Sequence, residues 1–277
     1  MRFQFSRQGL EGTERIRERI FECLPGATSW TLLAGMLVLS FWKPFLAAVL
    51  VIAIDLYWLL KLLYLTLFLV LSYLRLSLER QTDWMARVEA IGRWPTVELT
   101  PPLPHAAPAQ RLSHWIFQRR MLALAASGRP PPPLAQIHHL VIIPMSTETQ
   151  EIVEPGVTSL SRQRFPPSRI LVVLAVEGRA SDEVKAGAAR IQAHSCAQFL
   201  DVMVVEHPDG LPGEARVKGA NVTWAAKAAA RVFQERGVPF ERVVASCFDA
   251  DTVVSEQYMA CLTYHFMMCP QRTRASF

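Results

Sequence analysis

Asp249 and Asp251 are separated by a single residue and directly follow the apolar run 243–248. Side chains alternate along an extended segment, so we expect both carboxylates to face the same side. Paired carboxylates suit Mg²⁺ or Mn²⁺, which keep some waters and bridge the oxygens of a diphosphate. The pair predicts a divalent-metal site, and the alternative of a helix cap followed by a solvated acid stays open.

Four more polar residues stand where an apolar run ends or a helical pattern begins, namely Glu148, Glu177, Lys218 and Asn221. Taken one at a time, the two glutamates are as well explained as surface acids, the lysine as a solvated side chain and the asparagine as a helix cap. Lys218 starts a helical pattern, and a helix N-terminus favours anions such as phosphates. A metal on the same phosphates would stabilise the charge of a leaving diphosphate. Their occurrence in this order predicts one shared site.

The elements that must position these residues alternate from Ile137 onward. The predicted strands are 139–143, 169–176, 199–205 and 242–248, and the predicted helices are 149–163, 181–195, 219–237 and 256–268, the first of them interrupted by Pro155-Gly156. Continuous apolar runs joined by helices are typical of a parallel sheet with right-handed crossovers. Ligands of such α/β sheets bind beyond the carboxyl ends of the strands, where the polar residues fall.

The segment from Ile137 to Phe266 resembles the nucleotide-binding half of a family 2 glycosyltransferase of the GT-A (Rossmann-like) fold. The resemblance rests on Leu-Val-Ile-Ile-Pro followed by Glu148, on the run ending in Glu177, on Lys-Gly-Ala-Asn and on Asp-Ala-Asp followed by Tyr258. It implies that Glu148, Glu177, Lys218 and Asn221 contact a UDP- or GDP-sugar, and that Asp249 and Asp251 hold the metal and the sugar diphosphate. Membrane-bound members build polysaccharides or glycolipids, which implies a glycan or lipid-linked acceptor.

The chain departs from that family in three places. Ser146-Thr147 replaces the usual Tyr-Asn, Glu177 stands alone where two aspartates are usual, and no Gln-x-x-Arg-Trp follows Asp251. An inverting transfer needs a carboxylate that removes the acceptor proton, and no residue is assigned to that role. We therefore expect an incomplete GT-A domain that holds the donor-binding half.

Two other classes of protein are compatible with parts of this pattern. A truncated, non-catalytic relative would bind nucleotide sugar or partner subunits without turnover. A nucleotidyltransferase also uses acids on an α/β sheet with metal, but it would normally carry a Gly-rich basic loop after the first strand. The segment 144–150 contains no glycine and no basic residue, which disfavours that class.

Hydrophobic residues make up 51% of the 277 residues, a high share for a wholly soluble protein. The excess lies between Leu24 and Leu74, which is long enough to cross a bilayer core of about 30 Å twice. Lys43-Pro44 divides this stretch, so we expect a hairpin of membrane helices over 27–42 and 45–74. It begins too late and runs too long for a cleaved signal.

Arginines flank the hairpin on both sides, at positions 2, 7, 15, 17 and 19 before it and 75, 80, 87 and 93 after it. Positive flanks are cytoplasmic, so we expect a multi-pass membrane protein whose α/β domain faces the cytosol. The net charge of +5 is scattered or juxtamembrane, which suits anionic lipid and not nucleic acid. Asp55 and Lys61, within the second helix, are expected either to pair with another helix or to line a lipid or glycan path.

The predicted domain limits are a cytoplasmic segment 1–26, the hairpin 27–75, a juxtamembrane region 76–136 and the α/β domain 137–277. Within 76–136, the pattern over 77–94 predicts an amphipathic helix, at the membrane surface or packed on the soluble domain. A proline-rich connector with a short helix over 110–126 follows. The five widely spaced cysteines indicate neither a disulfide framework nor a zinc site and suit a reducing cytosol.

Overall fold

The structure, a computed structural model, describes residues 12–93, 107–211, 214 and 217–274. The chain divides into two compact units after Gln81. The first unit contains helices α1 (Thr13–Trp42) and α2 (Pro44–Arg80). Pro44 begins α2, where its missing N–H costs nothing and its fixed φ suits a first turn.

Helices α1 and α2 are long and apolar enough to be candidate membrane spans. Their large apolar side chains are exposed all round, and among the described residues of both helices only Ala47 is buried. The core helix of a soluble protein would instead be mostly buried. Both helices exceed their predicted limits, because the charged segment from Thr13 continues α1 and the segment to Arg80 continues α2. At about 1.5 Å per residue, α2 is longer than a bilayer core and would tilt or project.

The second unit is built on a four-stranded parallel sheet of β1 (His138–Met145), β2 (Ile170–Glu177), β3 (Asp201–His207) and β4 (Val243–Cys247), in the order β3-β2-β1-β4. The two central strands are almost wholly buried, as expected for strands covered on both faces. All four predicted strands are present, and the predicted α/β class is confirmed.

Helices cover both faces of the sheet. They are α5 (Gln150–Ser161), α6 (Asp182–Ser195) and α7 (Lys218–Glu235), with α8 (Tyr258–Met268) following β4. The apolar side of α7 packs on one face of the central strands, and α5 and α6 pack on the other. Helix α5 runs through Pro155-Gly156 without interruption, because the burial of Val153, Val157 and Leu160 outweighs the helix-breaking tendency of that pair.

The predicted helix over 77–94 is two helices. Helix α2 ends at Arg80, and Asp83 then caps a new helix, α3 (Trp84–Gly92), by accepting a hydrogen bond from the backbone N–H of Ala86 at 3.1 Å. The cap ends the helical run that amphipathic spacing alone predicts to be continuous. Of the two surroundings expected for this segment, the structure has the second, since Trp84 and Val88 pack with Tyr264 of α8.

Helix α4 (Pro108–Ala126) packs on the same cluster through Phe117 and Met121, and Leu124 of this helix is also buried. The guanidinium of Arg87 lies between the rings of Trp84, Phe117 and Tyr264, at 5.2 to 5.9 Å from their centroids. Burial lowers the pKa of Arg87. The short helix predicted over 110–126 is present as α4 and is packed, whereas the proline-rich stretch over 94–106 lies outside the described residues. The predicted limits 1–26, 27–75, 76–136 and 137–277 all stay predictions.

Candidate functional site

An open cleft of about 490 Å³ lies beyond the carboxyl ends of β1, β2 and β4 and beside the start of α7. Its lining residues include all six residues that the sequence predicts as a site, Glu148, Glu177, Lys218, Asn221, Asp249 and Asp251. They come from four separate stretches of chain, and the parallel topology brings them to one edge of the sheet. Their individual roles stay predictions.

Asp249 and Asp251 lie in a turn and not on an extended strand. β4 ends at Cys247, and the backbone N–H of Thr252 donates to the carbonyl oxygen of Asp249 at 3.0 Å. The expectation that strand alternation orients the two carboxylates was therefore wrong. Ala250, which lies between them, is buried, whereas both aspartates are exposed and line the cleft.

The donor set of this turn fits a divalent ion that is shared with a ligand. Within the described part of the chain, no three His, Cys, Asp or Glu side chains are grouped so as to form a metal site on their own. Mg²⁺ typically uses one or two carboxylates, substrate phosphates and water. Two exposed carboxylates at an open cleft match that requirement.

Lys218 and Asp249 contact each other across the cleft. The ammonium group of Lys218 donates to Oδ1 of Asp249, and this hydrogen bond raises the pKa of Lys218. The two side chains are 54% and 72% exposed, so the pair contributes at most about 1 kcal/mol. The sequence predicts a metal on Asp249 and phosphates near Lys218, whereas the structure pairs these two residues with each other.

Glu148 closes the loop after β1. One of its carboxylate oxygens accepts hydrogen bonds from the backbone N–H groups of Ser146, at 2.6 Å, and Thr147, at 3.0 Å. Partial burial raises the pKa of Glu148, but the hydrogen bonds outweigh this and leave the pKa below its usual value. The loop therefore carries an ionised carboxylate of fixed orientation at the cleft.

Glu177 ends β2 and accepts a hydrogen bond from Nε of Arg179 at 2.5 Å, which raises the pKa of that exposed guanidinium. Gly178 follows, and a Cβ there would lie 2.8 Å from the carbonyl oxygen of His207. Only glycine fits such a close approach. The turn after β2 is thus held against the end of β3, and a small recess of about 30 Å³ beside Asn221 adjoins the cleft.

Asn221 is buried and ties α7 to β2. Its Nδ2 donates to the carbonyl oxygen of Ala175 at 2.7 Å, whereas its Oδ1 has no hydrogen-bond partner among the described residues. The reversed amide would place two oxygens against each other, which fixes this assignment. The hydrogen bond holds the first turn of α7, and with it Lys218, close to the end of β2.

Helix α5 supports the segment that follows Asp251. The hydroxyl of Ser159 accepts from the N–H of Val254 at 3.1 Å, and the amide of Gln163, just beyond α5, donates to the carbonyl oxygen of Ser255 at 2.7 Å. Gly156 lies so close to this segment that a Cβ would be 2.7 Å from the carbonyl oxygen of Thr252. The helical pattern over 149–163 gives no sign of these contacts, because the partners lie about 95 positions away and only Gly156 departs from the pattern.

No protein-family model matches the chain, and no curated protein matches it significantly. Among solved structures, the mannosyltransferase PcManGT from Pyrobaculum calidifontis, in complex with GDP-Man and Mn²⁺, aligns with a TM-score of 0.34 and 15% sequence identity. The alignment covers 65% of this chain and 44% of that one. So partial and divergent a likeness assigns this chain neither a family nor an activity.

Proposed function

We propose that this protein is a membrane-anchored glycosyltransferase of the family 2 type that binds a nucleotide-sugar donor in the cleft above the sheet. The observation that carries the proposal is the convergence of Glu148, Glu177, Lys218 and Asn221 with the aspartate pair on one open cleft. Chance acids and caps scattered along a sequence would not gather at the ligand-binding edge of an α/β sheet.

In this proposal Asp249 and Asp251 hold Mg²⁺ or Mn²⁺ together with the donor diphosphate. When bound, the metal supplies Lewis-acid stabilisation of the diphosphate as it leaves the sugar. Lys218 and the first turn of α7 bring positive charge to the same phosphates. Glu148, on the loop after β1, and Glu177, at the end of β2, contact the nucleoside. The acceptor is a glycan or a lipid-linked glycan, and its activating base is not assigned.

Donor binding tests the aspartate pair directly. Calorimetric titration of the whole chain in detergent with UDP- and GDP-sugars should show binding in Mn²⁺ that is lost in EDTA. Asp249→Ala and Asp251→Ala should each weaken the metal-dependent binding at least about tenfold, as metal sites respond to the loss of a ligand or its supporting group. Asp182→Ala, an exposed aspartate at the start of α6, is the matched control and should bind as the unmodified chain does.

Binding that persists in EDTA, or in both aspartate variants, would remove the metal site from the proposal. Turnover is a separate question, because a non-catalytic relative would bind the same donor. Release of nucleoside diphosphate from a bound donor in the presence of membrane lipid distinguishes the two. A chain that binds but releases no nucleoside diphosphate is the nucleotide-sugar-binding alternative.

We also propose that α1 and α2 anchor the protein as a two-span hairpin with the cleft on the cytosolic side. The proposal is supported by their length, their apolar composition and the arginines on both flanks. Resistance to alkaline carbonate extraction tests the anchor, and protease access to the 82–277 unit from the cytosolic side tests the orientation. Extraction by carbonate would contradict it.

A further inference from the structure

Helix α4 has a second apolar face that the packed cluster leaves uncovered. Phe117, Met121 and Leu124 are buried on one side. The opposite side exposes large apolar residues, namely Leu112 (48% exposed), Trp115 (51%), Ile116 (37%) and Leu122 (55%). Leu112, Trp115 and Ile116 are neighbours at helical spacing, and Leu122 lies on the same side of the helix beyond Arg119; these four residues are here called the outer α4 face.

The charged residues that α4 itself contributes are all arginines. Arg119 and Arg120 are exposed on this side of the helix, and the guanidinium carbon of Arg119 lies 4.9 Å from the ring centroid of Trp115. The sequence holds no aspartate or glutamate from residue 99 to residue 147. A solvent-facing helix normally alternates the two signs of charge, and this one does not.

An exposed apolar stripe on a soluble surface marks a docking site. The stripe contains a tryptophan next to arginines and is free of acids, which is the composition of a helix lying in the headgroup region of a bilayer. An anionic lipid surface complements it in charge as well as in polarity. The corresponding apolar side of α3 cannot serve this purpose, because Trp84, Val88 and Ile91 are buried within the second unit.

We propose that the outer α4 face binds an anionic membrane surface, with Trp115 and Leu122 at the acyl boundary and Arg119 and Arg120 at the lipid phosphates. This attachment is additional to the two spans of the first unit and does not depend on what the cleft binds. It holds the second unit against the bilayer by a contact whose strength varies with lipid charge.

Quenching of Trp115 by brominated lipid tests the proposal in the whole chain. The chain is placed in nanodiscs of zwitterionic lipid or of a mixture with phosphatidylglycerol, both containing lipid brominated in the acyl chains. Subtracting the emission of Trp115→Phe isolates Trp115 from the other tryptophans. Its emission should be quenched in the anionic nanodiscs and should recover with added salt. Trp224→Phe is the matched control, since Trp224 is 37% exposed on α7 and should contribute no quenching that depends on lipid charge.

Charge variants provide the second readout. Each arginine near an anionic surface strengthens binding roughly fivefold, so R119Q/R120Q should lower the ratio of docked to undocked protein by roughly 25-fold. R231Q, on the exposed side of α7, should leave that ratio unchanged. Equal unfolding midpoints for all variants show that the fold is intact.

Two outcomes would overturn the proposal. If acrylamide quenches Trp115 and brominated lipid does not, the outer α4 face is exposed to water and not bound to the membrane. Trp115 that is shielded from both acrylamide and brominated lipid would show that a protein, such as a second copy of the chain, covers the outer α4 face.

Discussion

At the scale of single residues, three of the carboxylates that line the cleft accept hydrogen bonds from the protein's own groups. Lys218 neutralises Asp249, Arg179 holds Glu177, and backbone N–H groups hold Glu148. Asp251 adds a second carboxylate next to the first of these pairs. A metal that binds Oδ1 of Asp249 would therefore compete with Lys218, and the displaced ammonium group would be free to contact the phosphates of a donor.

This exchange predicts opposite effects of one substitution. Lys218→Ala should raise the affinity of the cleft for Mn²⁺ alone by up to about fivefold, because a surface pair of up to about 1 kcal/mol no longer competes for Asp249. The same variant should weaken donor binding, because a phosphate contact is lost. Titration with Mn²⁺ followed by electron paramagnetic resonance, without nucleotide and then with it, measures both. Lys227→Ala, an exposed lysine on the same helix, should change neither, and unaltered Mn²⁺ affinity in Lys218→Ala would contradict the exchange.

Element by element, the sequence predicts the sheet well and the supports of the cleft poorly. Apolar runs locate β1 to β4 because buried parallel strands are continuous in sequence. Polar residues at the strand ends locate the cleft for the same topological reason. The division between α2 and α3 is not predictable from amphipathic spacing, since a single capping residue, Asp83, decides it. The contacts of Ser159 and Gln163 are equally hidden, because they join segments that only the tertiary fold brings together.

The approach of α5 to the turn after Asp251 is tight enough to test. Gly156→Ala places a Cβ 2.7 Å from the carbonyl oxygen of Thr252, a contact that backbone can relieve only by moving. We expect a loss of about 1–3 kcal/mol in the free energy of unfolding, as for other overpacked sites, and weaker metal-dependent donor binding. Denaturant unfolding and calorimetry measure the two effects.

Gly92→Ala is the matched helical control for that substitution. Among the described residues, its Cβ would meet only the Cβ of Leu134, at an ordinary 3.8 Å. We expect it to be neutral or slightly stabilising, since alanine restricts the unfolded chain more than glycine does. A Gly156→Ala variant as stable as Gly92→Ala would show that α5 and the turn can separate without cost.

For the whole molecule, the first unit exposes nearly all of its large apolar residues, whereas the second unit buries most of its own in a core. The core of the second unit includes one neutral histidine, His139 on β1, whose Nε2 lies 2.8 Å from the hydroxyl oxygen of Thr263 on α8. That hydroxyl donates to the carbonyl oxygen of Met259, so the histidine ring is the donor to it. Burial lowers the pKa of His139 to about 3. Protonation would leave this donor in place but would bury a charge and a second N–H at Nδ1, which has no hydrogen-bond partner among the described residues, so the folded chain keeps the ring neutral.

Acid should therefore destabilise the second unit well above the pKa of its carboxylates. The unfolded chain binds a proton at His139 near pH 6.5 and the folded chain does not, so stability is complete above that pH and falls on acidification. The expected loss from this residue is about 1.4 kcal/mol per pH unit, or roughly 2 kcal/mol at pH 5. Urea unfolding of the whole chain in detergent between pH 7.5 and pH 5 measures it.

His139→Leu is the reference for that pH dependence. It removes the titrating group while Thr263 keeps its bond to Met259. The difference between the two proteins isolates His139 from His138, whose pKa burial also lowers. If the unfolding free energies of the unmodified chain and of His139→Leu fall equally over this pH range, groups other than His139 cause the acid sensitivity.

The segment between Asp251 and α8 is fastened from two directions. Ser159 and Gln163 hold it from the side of α5, and the Oε1 of Gln257 accepts from the backbone N–H groups of Trp84 and Met85 at the start of α3. A segment that is hydrogen-bonded at both of its ends has a fixed length. Insertions or deletions of even one residue between Thr252 and Gln257 would break one set of bonds, so relatives of this protein that keep the cleft should keep the length of this segment while its exposed side chains vary.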